Sequence, residues 1–134
     1  MSSENVELVR RAIAAFNSGS VEALAEVGDF YDPEVEFHED SRLIEAEVYR
    51  GPAEVEGYFR RWLESFESYH FEIEEIVESE NKVAVFNHQS GRGRGSGVEV
   101  DMRTAWVFEL RNGRIRRITP HWDREEALAA VNDA

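Results

Sequence analysis

Between residues 97 and 110, apolar or small side chains fall on every second position. Val98, Val100, Met102, Thr104, Trp106, Phe108 and Leu110 form one set, with Glu99, Asp101, Arg103 and Glu109 among the residues between them. A period of two is that of a strand buried on one face and wet on the other. Arg111-Asn112-Gly113 then supplies a tight turn, because Asn and Gly tolerate positive φ. Arg114 to Trp122 returns as a second strand rich in Ile and Thr, with one Pro near its end. The stretch from Gly97 to Asp123 is therefore a long hairpin whose apolar face needs a cover.

Helical periods supply that cover. Val6, Val9, Ala12, Ile13 and Phe16 make one stripe, started by a Ser2 or Ser3 cap and stopped at Asn17-Ser18-Gly19. A short second helix follows, capped by Ser20, with Leu24, Ala25 and Val27 on its apolar side. In the third helix Pro52 occupies the first turn, and Val55, Tyr58, Phe59, Trp62, Leu63 and Phe66 form a broad aromatic face suited to lie across a sheet. On that reading Trp62→Ala costs about 3–5 kcal/mol, the range for emptying a buried aromatic site.

Val35 to His38 alternates as a short strand, residues 39–47 lack a period and read as a loop, and Val48 to Gly51 closes it. From Tyr69 the period is two again, through Phe71, Ile73 and Ile76, with a slip at Glu74-Glu75 that predicts a β-bulge. Ser79-Glu80-Asn81 turns into a strand through Val83, Val85 and Phe86 toward Asn87, His88 and Gln89. Gly91 to Gly97 reads as a loop, and Asp123 caps a terminal helix over 124–131. With helices early and strands late, the expected class is α+β, with three helices packed on a curved, mostly antiparallel sheet and a short C-terminal helix, all in one domain over 1–134.

The net charge of −13 repels phosphate backbones and argues against a nucleic-acid partner. Acidic residues crowd 22–80 and Arg dominates 92–117, which leaves two options: solvated faces, or an Arg-bearing surface that meets an acidic patch on a second copy. Cysteine is absent, so thiolate chemistry and Cys-based metal sites are excluded, and a cytoplasmic setting is expected. No signal peptide is expected, and no apolar run reaches membrane-spanning length. The Gly-rich segment lacks the helix start and the Lys-Ser/Thr of a P-loop.

Several segments together resemble the SnoaL-like branch of the nuclear-transport-factor-2-like (NTF2-like) superfamily: FNSGS after an amphipathic helix, YDPEVEFH, YRGPAEVEGYFRRWLESF and WVFELRNGRIRRITPHWDREEAL. The resemblance covers essentially the whole chain. It implies a cone-shaped, cystatin-like roll whose open end is a ligand pocket, and an outer sheet face that pairs two copies as a homodimer. It implies a small apolar or polyketide-like ligand and no cofactor, and leaves open a cofactor-free isomerase, cyclase or dehydratase. The ketosteroid-isomerase pattern is matched poorly. Ala12 stands where a tyrosine donor is required and Trp106 where a protonated acid is required, so only a base at Glu39 or Asp40 could survive.

Candidate chemistry lies at strand ends. His38, Glu39 and Asp40 follow the first strand, and His88 lies on the strand before the long hairpin. A carboxylate and an imidazole at the mouth of an apolar cone suit general acid–base work, because burial and mutual charge move both toward neutral pH. Glu39 or Asp40 is the expected base and His38 or His88 its partner. Strand parity favours Glu39 over His38, and Trp122 over His121, as inward groups. Tyr31, Phe37, Tyr58, Trp62, Met102, Trp106, Ile118, Trp122 and His121 are the expected pocket residues. The four histidines lack metal-ligand spacing, so no metal is expected. The contrasting reading is a non-catalytic dimerisation or partner-binding domain whose cone is filled by its own side chains.

Overall fold

The structure of the protein is a computed structural model, and it describes residues 3–18, 21–39 and 47–132. Helix α1 (Glu4–Ser18) and helix α2 (Val21–Val27) lead through a single 3₁₀ turn into strand β1 (Tyr31–His38). Strand β2 (Val48–Arg50) and helix α3 (Pro52–Glu64) follow. Four long strands come next: β3 (Phe66–Ser79), β4 (Lys82–Gly93), β5 (Glu99–Arg111) and β6 (Arg114–His121). Helix α4 (Arg124–Asn132) closes the order. Ser3 accepts a hydrogen bond from the Val6 N–H at 3.1 Å and so caps α1. The Ser20 cap expected for α2 lies outside the described residues.

All six strands join one sheet in the order β2-β1-β6-β5-β4-β3. Neighbours are antiparallel except β1 and β6, which run parallel, so the sheet is mixed. Asn112 (φ 53°) and Gly113 (φ 74°) turn β5 into β6 in the left-handed region that the Asn-Gly pair permits. The β3–β4 register slips between Ile73 and Glu75, where the sequence alternation slips. Val48 to Arg50, read from sequence as the close of a loop, is instead a short edge strand paired with Glu36 to His38.

The stripe of α1, Val55 and Phe59 of α3, and the inner faces of β1 and β3–β6 form the main core. Phe66, expected at the end of the α3 stripe, opens β3 opposite Gly93. The chain leaves the helix at Ser65, whose N–H still bonds Arg61 while its carbonyl accepts from Arg94. A second, smaller core lies on the outer sheet face, where α4 lays Ala127 and Val131 over Ala84, Phe86, Ala105 and Val107. Val107 therefore points outward, as its parity requires, and is nonetheless buried. Val98, expected on the inward face, is 60% exposed, because it precedes β5 and meets the sheet only where its carbonyl accepts the Gly93 N–H at the turn. The Gly91–Gly97 segment is only partly a loop: β4 continues to Gly93 and the turn begins at Arg94.

Candidate functional site

Strand alternation sends Phe37 of β1, Met102, Thr104 and Trp106 of β5, and Gln89 of β4 to the inner face of the sheet. Tyr58, Phe59 and Trp62 of α3 descend onto them. Together with Glu39, Pro120 and Trp122 they enclose an open pocket of about 210 Å³ at the wide end of the cone. The rings are packed on one another as well as on the space. Phe37 stacks on Tyr58 with centroids 4.6 Å apart, and Phe59 stacks on Trp106 at 5.9 Å and 21°. The Phe59–Trp106 pair also borders a second void toward the apex. That void holds only about 30 Å³ and is lined by side chains such as Ala12, Phe16 and Ile115. Tyr31 and Ile118, expected in the ligand pocket, line this apical void instead. β1 carries Tyr31 six residues, three periods of alternation, away from Phe37, and Ile118 sits opposite Phe108 deep in the sheet.

One wall of the pocket is a buried polar network. Tyr69 of β3 donates its hydroxyl proton to Gln89 Oε1. Gln89 Nε2 donates to Asn87 Oδ1 and to Thr104 Oγ1, both at 3.1 Å, and the Thr104 hydroxyl donates to Asn87 Oδ1 at 2.8 Å. Asn87 Nδ2 donates to the Val85 carbonyl at 3.1 Å. Gln89 and Asn87 are 2% and 1% exposed, so this arrangement is held rigidly. Burial pushes the Tyr69 hydroxyl up from its ordinary pKa, and the nearby Trp62 N–H opposes that only in part, so Tyr69 stays a neutral donor. The indole N–H of Trp62 is itself buried with no partner in bonding geometry.

Glu39 is the one charged side chain in the pocket lining among the described residues. It sits half-buried at the rim, where its Oε1 accepts the Glu47 N–H at 3.0 Å. Its negative charge reaches the Tyr58 hydroxyl. Burial first, then Glu39 and Tyr49, push that hydroxyl up, against an opposing Arg61. Tyr58 is thus a neutral hydroxyl at the mouth.

The expected imidazole partners are not in the pocket. His38 points to the opposite face of β1, its Nε2 2.8 Å from Glu36 Oε1. The His38 ring, followed by Arg117, holds the Glu36 carboxyl below its ordinary range. His88 faces outward beside Asp101, 2.9 Å away, because it alternates with Asn87 and Gln89. His121, expected as a pocket residue, lies on the α4 side, 3.9 Å from Glu126. Asp40 lies outside the described residues. Among the described residues no three His, Asp or Glu side chains converge as a metal site would require. Sequence reasoning passed over Gln89, Asn87 and Thr104 as functional groups. The signal was present: Asn87 and Gln89 continue the parity of Val83 and Val85, which puts two amides on a buried face.

A helix-covered, curved α+β sheet closed at one end and open at an aromatic pocket defines the cone-shaped NTF2-like roll. Residues 9–118 match the SnoaL-like domain, and the protein belongs to that family. No protein of curated function matches its sequence. Solved structures share the fold. Bal32a, from a soil-derived mobile gene cassette, aligns with a TM-score of 0.77 at 23% identity over 96% of this chain and 95% of its own. A putative SnoaL-like polyketide cyclase from Jannaschia sp. CCS1 aligns with 0.76 at 18% identity, over 98% and 93% of the two chains. TerC, co-crystallised with polyporic acid, aligns with 0.74 at 16% identity, over 98% of this chain and all of its own. At these identities the likeness is one of fold.

Proposed function

We infer that the protein is a small-molecule-binding member of the SnoaL-like family and that the mouth pocket is its binding site. The observation that carries this reading is a polar network built into an otherwise aromatic wall. A cone meant only to be filled would carry apolar side chains where Gln89 and Thr104, held from behind by Asn87, stand beside open space with oxygen lone pairs left over. The complex of TerC with polyporic acid supports the reading by likeness of fold. A screen of planar ligands by quenching of intrinsic tryptophan fluorescence tests it, because Trp62, Trp106 and Trp122 all border the space. Saturable quenching is expected. Met102→Trp, which fills the pocket from β5, should abolish it without loss of stability. Quenching unaffected by that substitution would place the ligand elsewhere.

Glu39 favours a second, catalytic reading. It is a carboxylate in the same wall as a neutral donor, the Tyr58 hydroxyl. A base that takes a proton while a donor stabilises the developing oxyanion is the pattern of a cofactor-free isomerase, cyclase or dehydratase. No imidazole enters this scheme. Glu39→Gln should lower turnover of any substrate by about a hundredfold or more while ligand binding persists; unchanged turnover would remove Glu39 from the chemistry. The reading also includes a homodimer through the exposed part of the outer sheet face, where Arg103 pairs with Glu74 and His88 with Asp101.

A further inference from the structure

We propose that the mouth pocket selects a single-ring organic cation, an aryl or benzyl ammonium, in preference to a neutral or acidic ligand of the same shape. The inference rests on the pocket being a ligand site and adds the charge and size of what it takes.

Three observations point to it. The first is the distribution of rings. Tyr58, Phe59 and Trp62 come from α3, Phe37 from β1, Trp106 from β5, and Trp122 from the segment after β6, so π faces and edges surround the space from the helix side and the sheet side. Rings arranged about a common centre attract a cation through their quadrupoles, and do so more strongly where water is excluded. Trp122 is 46% exposed at the rim, as a ring poised to cover an occupant would be.

The second observation is charge. Glu39 is the one charged lining residue, and no Lys, Arg or His of the described residues joins it there. Among the described residues, Arg61 is a cation whose charge is felt at the Tyr58 hydroxyl. It is exposed on the outer side of α3, with its Nη1 3.3 Å from where a Gly57 Cβ would stand. In the polar network the amide protons of Gln89 are spent on Asn87 and Thr104, so what remains to meet a ligand at Gln89 and Thr104 is oxygen lone pairs. The polar network therefore offers acceptors, and the rim one carboxylate, to an occupant, beside the neutral Tyr58 hydroxyl. A net charge of −13 adds a long-range potential of the same sign. An acidic ligand would enter against Glu39 with no cationic side chain among the described lining residues to neutralise it, and burying an unpaired charge is costly.

The third observation is size. The pocket of about 210 Å³ exceeds the engineered cavity of about 150 Å³ that takes benzene and falls short of the roughly 300–1,000 Å³ of sites for drug-sized ligands. One ring with a compact substituent fills it.

Three single-ring phenols separate charge from fit: (3-hydroxyphenyl)trimethylammonium, its neutral isostere 3-tert-butylphenol, and the smaller, planar anion 3-hydroxybenzoate. Each is titrated into the protein by isothermal calorimetry. The cation should bind at least about tenfold more tightly than the neutral isostere, with the anion weakest. Glu39→Gln and, separately, Trp122→Leu should each narrow the ratio of cation to neutral affinity, and added salt should narrow it as well. Equal or tighter binding of 3-tert-butylphenol, or tightest binding of 3-hydroxybenzoate, overturns the charge preference and leaves the ligand site standing. Binding of none of the three overturns the preference together with the reading of the pocket on which it rests.

Discussion

Gln89 is the residue on which the pocket wall turns. Its amide ties Tyr69 on one strand to Asn87 beside it and Thr104 on the next, so one side chain orients three others. Gln89→Leu leaves the Tyr69 hydroxyl without its acceptor and takes one donor each from Asn87 and Thr104, and should cost about 1–3 kcal/mol in a denaturant titration. A smaller loss would show that water replaces the amide. Two aromatic truncations separate core from wall. Phe59 is 5% exposed, and Phe59→Ala should cost about 3–5 kcal/mol. Trp62 is only half-buried, so the same range expected for Trp62→Ala from sequence is revised to about half of it. Asp32 belongs to a different economy. Its two oxygens meet Arg111 at 3.2 and 2.9 Å, and Oδ1 also accepts the Glu34 N–H at 2.8 Å. The Arg111 guanidinium first, and the Glu34 N–H second, hold its carboxyl below the usual carboxylate range. A folded-state pKa lowered in this way stabilises the fold above the unfolded value near 4, and that stability is lost as pH falls through the folded value. Arg111 is nearly half exposed, so Asp32→Asn should cost about 1 kcal/mol at neutral pH. The difference from the parent protein should vanish in acid. A deficit independent of pH would assign it to packing.

At the scale of elements, what was legible in the sequence follows from how local each signal is. The α1 stripe and the hairpin of β5 and β6 carry long periods, and Asn112-Gly113 makes the turn, so both stand where the pattern puts them apart from Val98 and a register slip between Glu109 and Leu110. The parallel pairing of β1 with β6 joins residues about eighty positions apart, Phe37 to Ile118, and no local period encodes it. Gly91 and Gly93 read as loop because Gly breaks strands, yet they lie within β4. A Cβ on Gly91 would stand 2.6 Å from the Ser68 carbonyl oxygen, so glycine is what lets β3 and β4 close there. Gly91→Ala should therefore destabilise the β3–β4 ribbon, by about 1–3 kcal/mol, and hydrogen exchange should show the loss at Ser68 to Phe71 first. Uniform loss across the sheet would contradict that account. Within the site, parity correctly favours Glu39 over His38 and Trp122 over His121 as inward groups. The acid–base pairing fails because His38 and His88 each lie one residue out of phase with the pocket face, where Glu36 and Asp101 engage them.

For the molecule as a whole, two covers make one cone. Helices α1 and α3 close the inner face except at the mouth, and α4 buries the outer patch of Ala84, Phe86, Ala105 and Val107. Lys82 donates to the Ala130 carbonyl and holds the end of α4 to β4. The inner face is thus sealed by packing at its apex and left open where Phe37, Tyr58, Trp106 and Gln89 meet. That opening is the central claim, and a crystal structure of the protein soaked with (3-hydroxyphenyl)trimethylammonium tests it most directly. The account predicts ligand density bounded by those four side chains, with the ammonium toward Glu39. A saturated crystal in which the mouth is filled by the protein's own side chains, or in which the ligand lies elsewhere, would contradict it.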